Sequence, residues 1–161
     1  MEEYLSAIDD SGFSLFKEKL FSEDRGFYDF IFDEVRADWR FCLPIERGWK
    51  VLDIGAGLGA NTFTLAKEAG QVVAMERADL RRKFLELRKK FENAENIEVF
   101  SGDALELPFN DETFDLVAVN GVFEWVGVTD MFKSPQEAQE YFLKEVMRIL
   151  KKGGYLYIGI E

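Results

Sequence analysis

Val51-Leu52-Asp53-Ile54-Gly55-Ala56-Gly57-Leu58-Gly59 is the stretch whose reading decides the fold. Val51 to Ile54 reads as a short, largely apolar strand, and glycines at every second position then turn the chain. Glycine allows a sharp turn and lets a ligand approach the main chain closely. Asn61 to Ala69 follows as a helix, with Phe63, Leu65 and Ala66 apolar and Gly70 as its stop. A loop that opens a helix in this way presents free N–H groups to negative or polar ligand atoms.

Outward from this stretch, strand and helix patterns alternate. Gln71 to Met75 is a second strand, and Asp79 can cap a helix whose apolar positions are Leu80, Phe84, Leu87 and Phe91. Ile97 to Phe100 and Phe114 to Val119 are the third and fourth strands. Ser134-Pro135-Gln136-Glu137 offers an N-cap, a first-turn proline and a capping-box Glu. The helix it starts buries Ala138, Phe142, Val146 and Ile149, carries Lys151 and Lys152 at its negative end and stops at Gly153. Tyr155 to Ile160 is a fifth strand. This alternation predicts an α/β fold, a doubly wound parallel sheet of at least five strands with flanking helices.

Residues 1–48 read differently, as a helical, aromatic segment packed on the domain formed by 49–161. Leu5, Ile8, Phe13, Phe16, Leu20 and Phe21 form one loose stripe, and Phe27, Phe30, Ile31, Val35 and Trp39 a second. A lid over the sheet is the alternative use of this segment. Pro44 and Gly48 separate it from the first strand.

Composition narrows the chemistry. The chain of 161 residues has no histidine and one cysteine, Cys42. Ser-His and Cys-His nucleophile pairs, thiolate zinc clusters and an internal disulfide are thereby excluded, and no metal site is expected. A net charge of -11 disfavours nucleic acid as a substrate and suits a small or cationic ligand. No apolar run is long enough for a membrane helix, and the start lacks a signal-peptide layout, so a cytoplasmic protein is the expectation. Arg81, Arg82, Lys83, Arg88, Lys89 and Lys90 read as a solvated helix face rather than a nucleic-acid site.

Gly55, Gly57 and Ala60 satisfy the relaxed dinucleotide fingerprint, so a nicotinamide dehydrogenase is one reading of the loop. Asp53 argues against it, because a carboxylate beside the loop would repel a diphosphate and suits a ligand bearing an ammonium and a sulfonium. The sequence here resembles the class I S-adenosylmethionine-dependent methyltransferases, in particular the type 11-like methyltransferase domain. The likeness runs from about Trp49 to the C-terminus in four ordered parts: the glycine loop, Glu76 at the tip of the second strand, Ser101-Gly102-Asp103-Ala104 after the third, and Phe114 to Trp125 around the fourth. It implies a Rossmann-like fold and S-adenosyl-L-methionine as cofactor. It also implies cofactor contacts at Asp53, Gly55, Ala56, Gly57, Glu76, Arg77, Asp103, Ala104 and Asn120. In the family the acid matched by Asp103 takes the adenine amino group, and the N–H matched by Ala104 meets a ring nitrogen.

The reaction implied is methyl transfer to a small-molecule acceptor, with no nucleic acid or membrane partner. Glu124 is the candidate base, Phe123 and Trp125 candidate walls of the acceptor pocket, and Tyr28 and Phe27 candidate covers. The family's sheet has seven strands, and its last two are not found before Glu161, so the chain is expected to be incomplete at its C-terminal end. Alternatively it is a natural short protein, a homodimer through the apolar edge Tyr155-Leu156-Tyr157-Ile158. A non-catalytic module that holds the cofactor is the second functional alternative.

Overall fold

A computed structural model of the chain describes residues 12–128 and 131–160. Five parallel strands form one sheet in the order β3-β2-β1-β4-β5, with β1 at Lys50–Ile54, β2 at Gln71–Glu76, β3 at Ile97–Ser101, β4 at Phe114–Asn120 and β5 at Leu150–Gly159. The central strands are buried along nearly their whole length and largely apolar because both faces of the sheet are covered. Two buried clusters lie on its two sides. One gathers Leu52, Val73, Val117, Phe142 and Val146; the other gathers Val51, Phe63, Leu65, Val72 and Leu116. The arrangement is the parallel sheet with flanking helices that the alternation predicts, and it is Rossmann-like, as the resemblance implies.

Register lines up the strand tips. Ile54 pairs with Met75 on one side and with Val119 on the other, and Glu76 pairs with Ser101. Gly55, Glu76 and Asn120 therefore all stand at the same edge, at the carboxyl ends of adjacent strands. The strand order reverses between β1 and β4, and it is at such a switch point that α/β sheets open a crevice.

Helices α1 (Phe13–Glu23) and α2 (Arg25–Phe32) pack beside the glycine loop, and a 3-10 segment (Glu34–Cys42, kinked at Ala37) packs on one face of the sheet, where Trp39 stacks on Tyr157 of β5. Phe13, Phe16, Leu20 and Ile31 bury themselves with Leu58 of that loop and Phe84. Leu5 and Ile8 of the first apolar stripe lie outside the described residues. Phe21, Phe30 and Val35, expected on buried faces, are exposed. Phe21 and Phe30 each stand one residue, about 100° round an α-helix, from the position that is buried, Leu20 and Ile31, and Val35 falls in the 3-10 segment, whose period is 3.0 rather than 3.6.

Three boundaries differ from the sequence expectation. Helix α3 is Ala60–Leu65, and beyond it the chain tightens into 3-10 turns, with the Lys67 and Glu68 N–H groups donating to Thr64 and Leu65 carbonyls. Helix α4 is Asp79–Glu92 with Ala78 at its N-cap position, so Asp79 is its first residue and pairs with Arg82 instead of capping. Helix α5, Pro135–Ile149, does begin with Ser134 accepting from the Glu137 N–H. It runs directly into β5, however, so Lys151 and Lys152 belong to the strand. Lys151 Nζ pairs with Asp115 at 2.8 Å, and Lys151 to Gly154 are accommodated where the register shifts between Phe114 and Leu116. No helix among the described residues is long and apolar enough to cross a membrane.

Candidate functional site

The glycine loop is held open by its own backbone. Gly55, Gly57 and Gly59 have φ of +73°, +58° and +88°, values that residues with a Cβ rarely adopt. At Gly55 space also forbids a side chain, since a Cβ would lie 2.2 Å from Val122 Cγ2. The Gly55 and Ala56 N–H groups both donate to the Met75 carbonyl, at 2.8 and 3.0 Å, which fastens the loop to β2.

Two hollows meet over this loop. The first, of about 460 Å³, runs from Ile54 and Gly55 past Met75, Glu76 and Arg77 to Gly102, Asp103 and Ala104. Its other wall is Val122, Trp125, Val126, Val128 and Met131. The second, of about 230 Å³, lies on the other side of Gly55 and is lined by Ala56, Gly57, Leu58, Asn61, Asn120, Phe30 and Arg36, among others. Gly55 and Arg81 belong to both. These shared residues make the hollows adjoining lobes over the glycine loop, and Val122, which packs on Gly55, lines the first.

In the first lobe Glu76 is only 5% exposed. Its Oε2 accepts the Gly57 N–H at 2.9 Å and its Oε1 the Ala78 N–H at 2.8 Å. Each oxygen keeps a further acceptor site, which is what a vicinal diol needs. Arg81 stands 3.7 Å away and offsets the charge. Asp103, in the loop after β3, accepts the Leu105 N–H through Oδ1 and Arg77 Nη1 through Oδ2. The Ala104 N–H has no acceptor among the described residues. An acceptor beside an unused donor suits the edge of a purine carrying an exocyclic amine.

Asp53 is not in either lobe. It is 2% exposed and its Oδ2 accepts the Thr62 hydroxyl at 2.5 Å, behind the loop. Burial, opposed by the Thr62 bond and reinforced by the Glu76 charge, raises its pKa to about 6. Asn120 lines the second lobe and packs so closely on Gly159 that a Cβ there would fall 1.9 Å from its Oδ1. Glu124 lines neither lobe. It sits in a 3-10 turn, Phe123–Trp125, and its Oε2 is buried with no hydrogen-bond partner among the described residues. Trp125 does line the first lobe, whereas Phe123 turns inward against Phe142.

Several site residues escaped the sequence reading. Phe27 and Tyr28 do not cover the cleft; they pack on Phe30, Phe21 and Phe32. The N-terminal layer reaches the cleft through Phe30 and Arg36, the guanidinium of Arg36 lying 4.2 Å over the Phe30 ring. The basic run on α4 is not one solvated face. Arg81 lines the cleft, Arg82 donates to the Glu76 and Arg77 carbonyls, and Arg88 is buried.

The residues present fit S-adenosylmethionine. A buried carboxylate with spare acceptor sites matches a ribose diol, and Asp103 with Ala104 matches adenine. The second lobe, with two guanidiniums, matches an amino-acid carboxylate. The methyltransferase domain family matches residues 52–158. A demethylmenaquinone methyltransferase of Staphylococcus aureus is 35% identical over 113 residues, which are 70% of this chain and 43% of that protein. The chain therefore spans less than half the length of this relative. Among solved structures, phosphoethanolamine N-methyltransferase 1 of Haemonchus contortus, in complex with phosphoethanolamine and S-adenosylhomocysteine, superposes with a TM-score of 0.67 at 25% identity, over 92% of this chain and 31% of that one. A SAM-dependent methyltransferase from Aquifex aeolicus shares the fold, with a TM-score of 0.63 at 23% identity over 88% of this chain and 71% of that one. The chain belongs to the methyltransferase domain family, whose cofactor is S-adenosyl-L-methionine.

Proposed function

We propose that this chain binds S-adenosylmethionine across both lobes and transfers its methyl group to a small, non-nucleic-acid acceptor. The observation that carries the reading is the division of charge in one cleft. Carboxylates Glu76 and Asp103 line the first lobe only, together with Arg77; the second has no carboxylate among its described lining residues and is faced by Arg36, while Arg81 lines both. Such a polarity suits a nucleoside at one end and an amino-acid carboxylate at the other.

When bound, the cofactor supplies an electrophilic methyl on a sulfonium, already activated for in-line displacement. The chain's own work is positioning. Glu76 holds the ribose, Asp103 and Ala104 the base, and Gly55 and Gly57 let the ligand lie against bare backbone. Arg77 stays in the site as the partner that orients Asp103. Ala56 and Asn120 form the floor of the second lobe. Asp53 sets the loop from behind through Thr62. Glu124 is the base the sequence offers, but it lines neither lobe, so the proposed transfer rests on positioning and not on a base at Glu124. Exposed Trp125, Val128 and Met131 give the cleft an apolar lip, which favours an acceptor with an apolar ring. A quinol related to the substrate named for the staphylococcal relative is the first to try.

The test is transfer of labelled methyl to a demethylated naphthoquinol, with phosphoethanolamine as the contrasting polar acceptor. Label in the quinol supports the reading. Tight cofactor binding with no transfer to any acceptor would favour a binding module instead. Self-association through the outer edge of β5, the last strand in the sheet order, belongs to the same proposal. Light scattering that gives a dimer mass supports it, and a monomer at high micromolar concentration removes it.

A further inference from the structure

Arg88 lies on α4, away from both lobes, with its side chain 5% exposed. Its Nη1 donates to the Ile31 carbonyl at 2.9 Å and to the Leu58 carbonyl at 3.1 Å, while Nε donates to Glu92 at 2.7 Å. The guanidinium is sandwiched between rings, 4.0 Å from the Phe63 centroid and 4.8 Å from that of Phe32. Burying such a charge is costly, and an apolar side chain would fill the same space with less desolvation. What the guanidinium adds is geometry. One nitrogen bridges the last turn of α2 and the glycine loop, segments that are 57 and 30 residues distant from Arg88 in sequence.

One of those carbonyls belongs to a lining residue of the second lobe and the other to the neighbour of one. Leu58 is itself a lining residue, and Ile31 is followed at once by the end of α2 and the segment that carries Arg36. Phe30, the residue before Ile31, lines the lobe as well. The first lobe takes nothing from α2 or Leu58. We propose that Arg88 is a positioning residue for the cofactor's amino-acid tail: it sets the distance between the glycine loop and the N-terminal helical layer, and so shapes the second lobe without touching ligand.

This inference rests on the cofactor reading above and divides from it by experiment. Calorimetry compares S-adenosylhomocysteine, which has the tail, with 5′-methylthioadenosine, which lacks it, on the wild-type chain and on Arg88→Met. The expected result is S-adenosylhomocysteine weakened by about tenfold or more, from loss of charge-assisted bonds that fix one wall. Binding of 5′-methylthioadenosine stays within about twofold, because the first lobe is unaltered. Arg88→Lys keeps the charge, lacks the planar fork and should fall between, and it carries the same comparison if Arg88→Met does not fold. A purely structural role moves both ligands together, so a parallel loss, or no loss, overturns the inference. A wild-type chain that binds neither ligand overturns the cofactor reading and this inference with it.

Discussion

The two lobes of the cleft are built by different means. The first is made at strand tips: Gly55 after β1, Glu76 at the end of β2 and Asp103 after β3 each sit at the tip of a strand, or a residue or two beyond it, and the register of each strand with its neighbours is fixed by hydrogen bonds. The second is made by docking. Its floor is the same glycine loop, but Phe30 and Arg36 reach it from a helical layer held by aromatic packing, by Arg88 and by the Arg40–Glu68 ion pair. Strand tips are positioned by the sheet itself, whereas a docked layer is positioned by side chains. The first lobe should therefore be rigid and tolerant of changes elsewhere, and the second adjustable and sensitive to its braces.

Breaking the shared element erases the distinction. Gly55→Ala places a Cβ in a left-handed conformation and against Val122, at the one glycine that lines both lobes. S-adenosylhomocysteine and 5′-methylthioadenosine should both lose about 100-fold or more in affinity, as read by calorimetry, with a stability loss of about 1–3 kcal/mol from the strained φ. Glu76→Gln removes the charge from the proposed ribose acceptor while keeping its shape. Both ligands should weaken together by about 10- to 100-fold, because both carry the nucleoside. Arg36→Met acts on the second lobe alone. S-adenosylhomocysteine should weaken by about tenfold and 5′-methylthioadenosine should not change, a split that equal losses would contradict.

Asp53 gives the smallest effect on binding and a distinct signature in stability. Its folded pKa of about 6 lies above the unfolded value, so its contribution is complete below the unfolded pKa and is lost as pH rises through 6. Wild type should lose stability relative to Asp53→Asn between about pH 4 and 6, and the gap should level off above that, at about 1–3 kcal/mol. Urea unfolding of both chains across this range measures it. A gap that widens instead as pH falls would assign the carboxylate a stabilising ion pair. Because Asp53 lies behind the loop and in neither lobe, whatever effect remains on binding should be shared by the two ligands.

The same contrast governs what was legible. Gly55, Glu76, Asp103 and Ala104 could be read because a strand tip fixes its own side chain's place, and the parallel sheet brings the tips to one rim. Phe30 and Arg36 could not, because nothing local to residues 25–42 says which sheet edge they meet. Arg88 was within reach: it lies four residues after Phe84 and three after Leu85, both buried, and so shares their helical face. It was hidden by lysines and arginines around it, which made the run resemble a solvated surface. Phe91, counted on the apolar face, is exposed, so the true face of α4 is rotated toward Leu85 and Arg88. The helix-to-strand junction at Leu150 was misplaced for a related reason. Gly153 and Gly154 carry the signal of a helix stop, yet they serve the register shift opposite Phe114 and Leu116.

The central claim is that one ligand spans both lobes over Gly55. Crystals grown with S-adenosylhomocysteine test it most directly. The account predicts adenine against Asp103 and Ala104, the ribose diol on Glu76, and the amino-acid carboxylate in the second lobe beside Arg36. Density confined to one lobe, or a tail that leaves the cleft past Trp125, would contradict it.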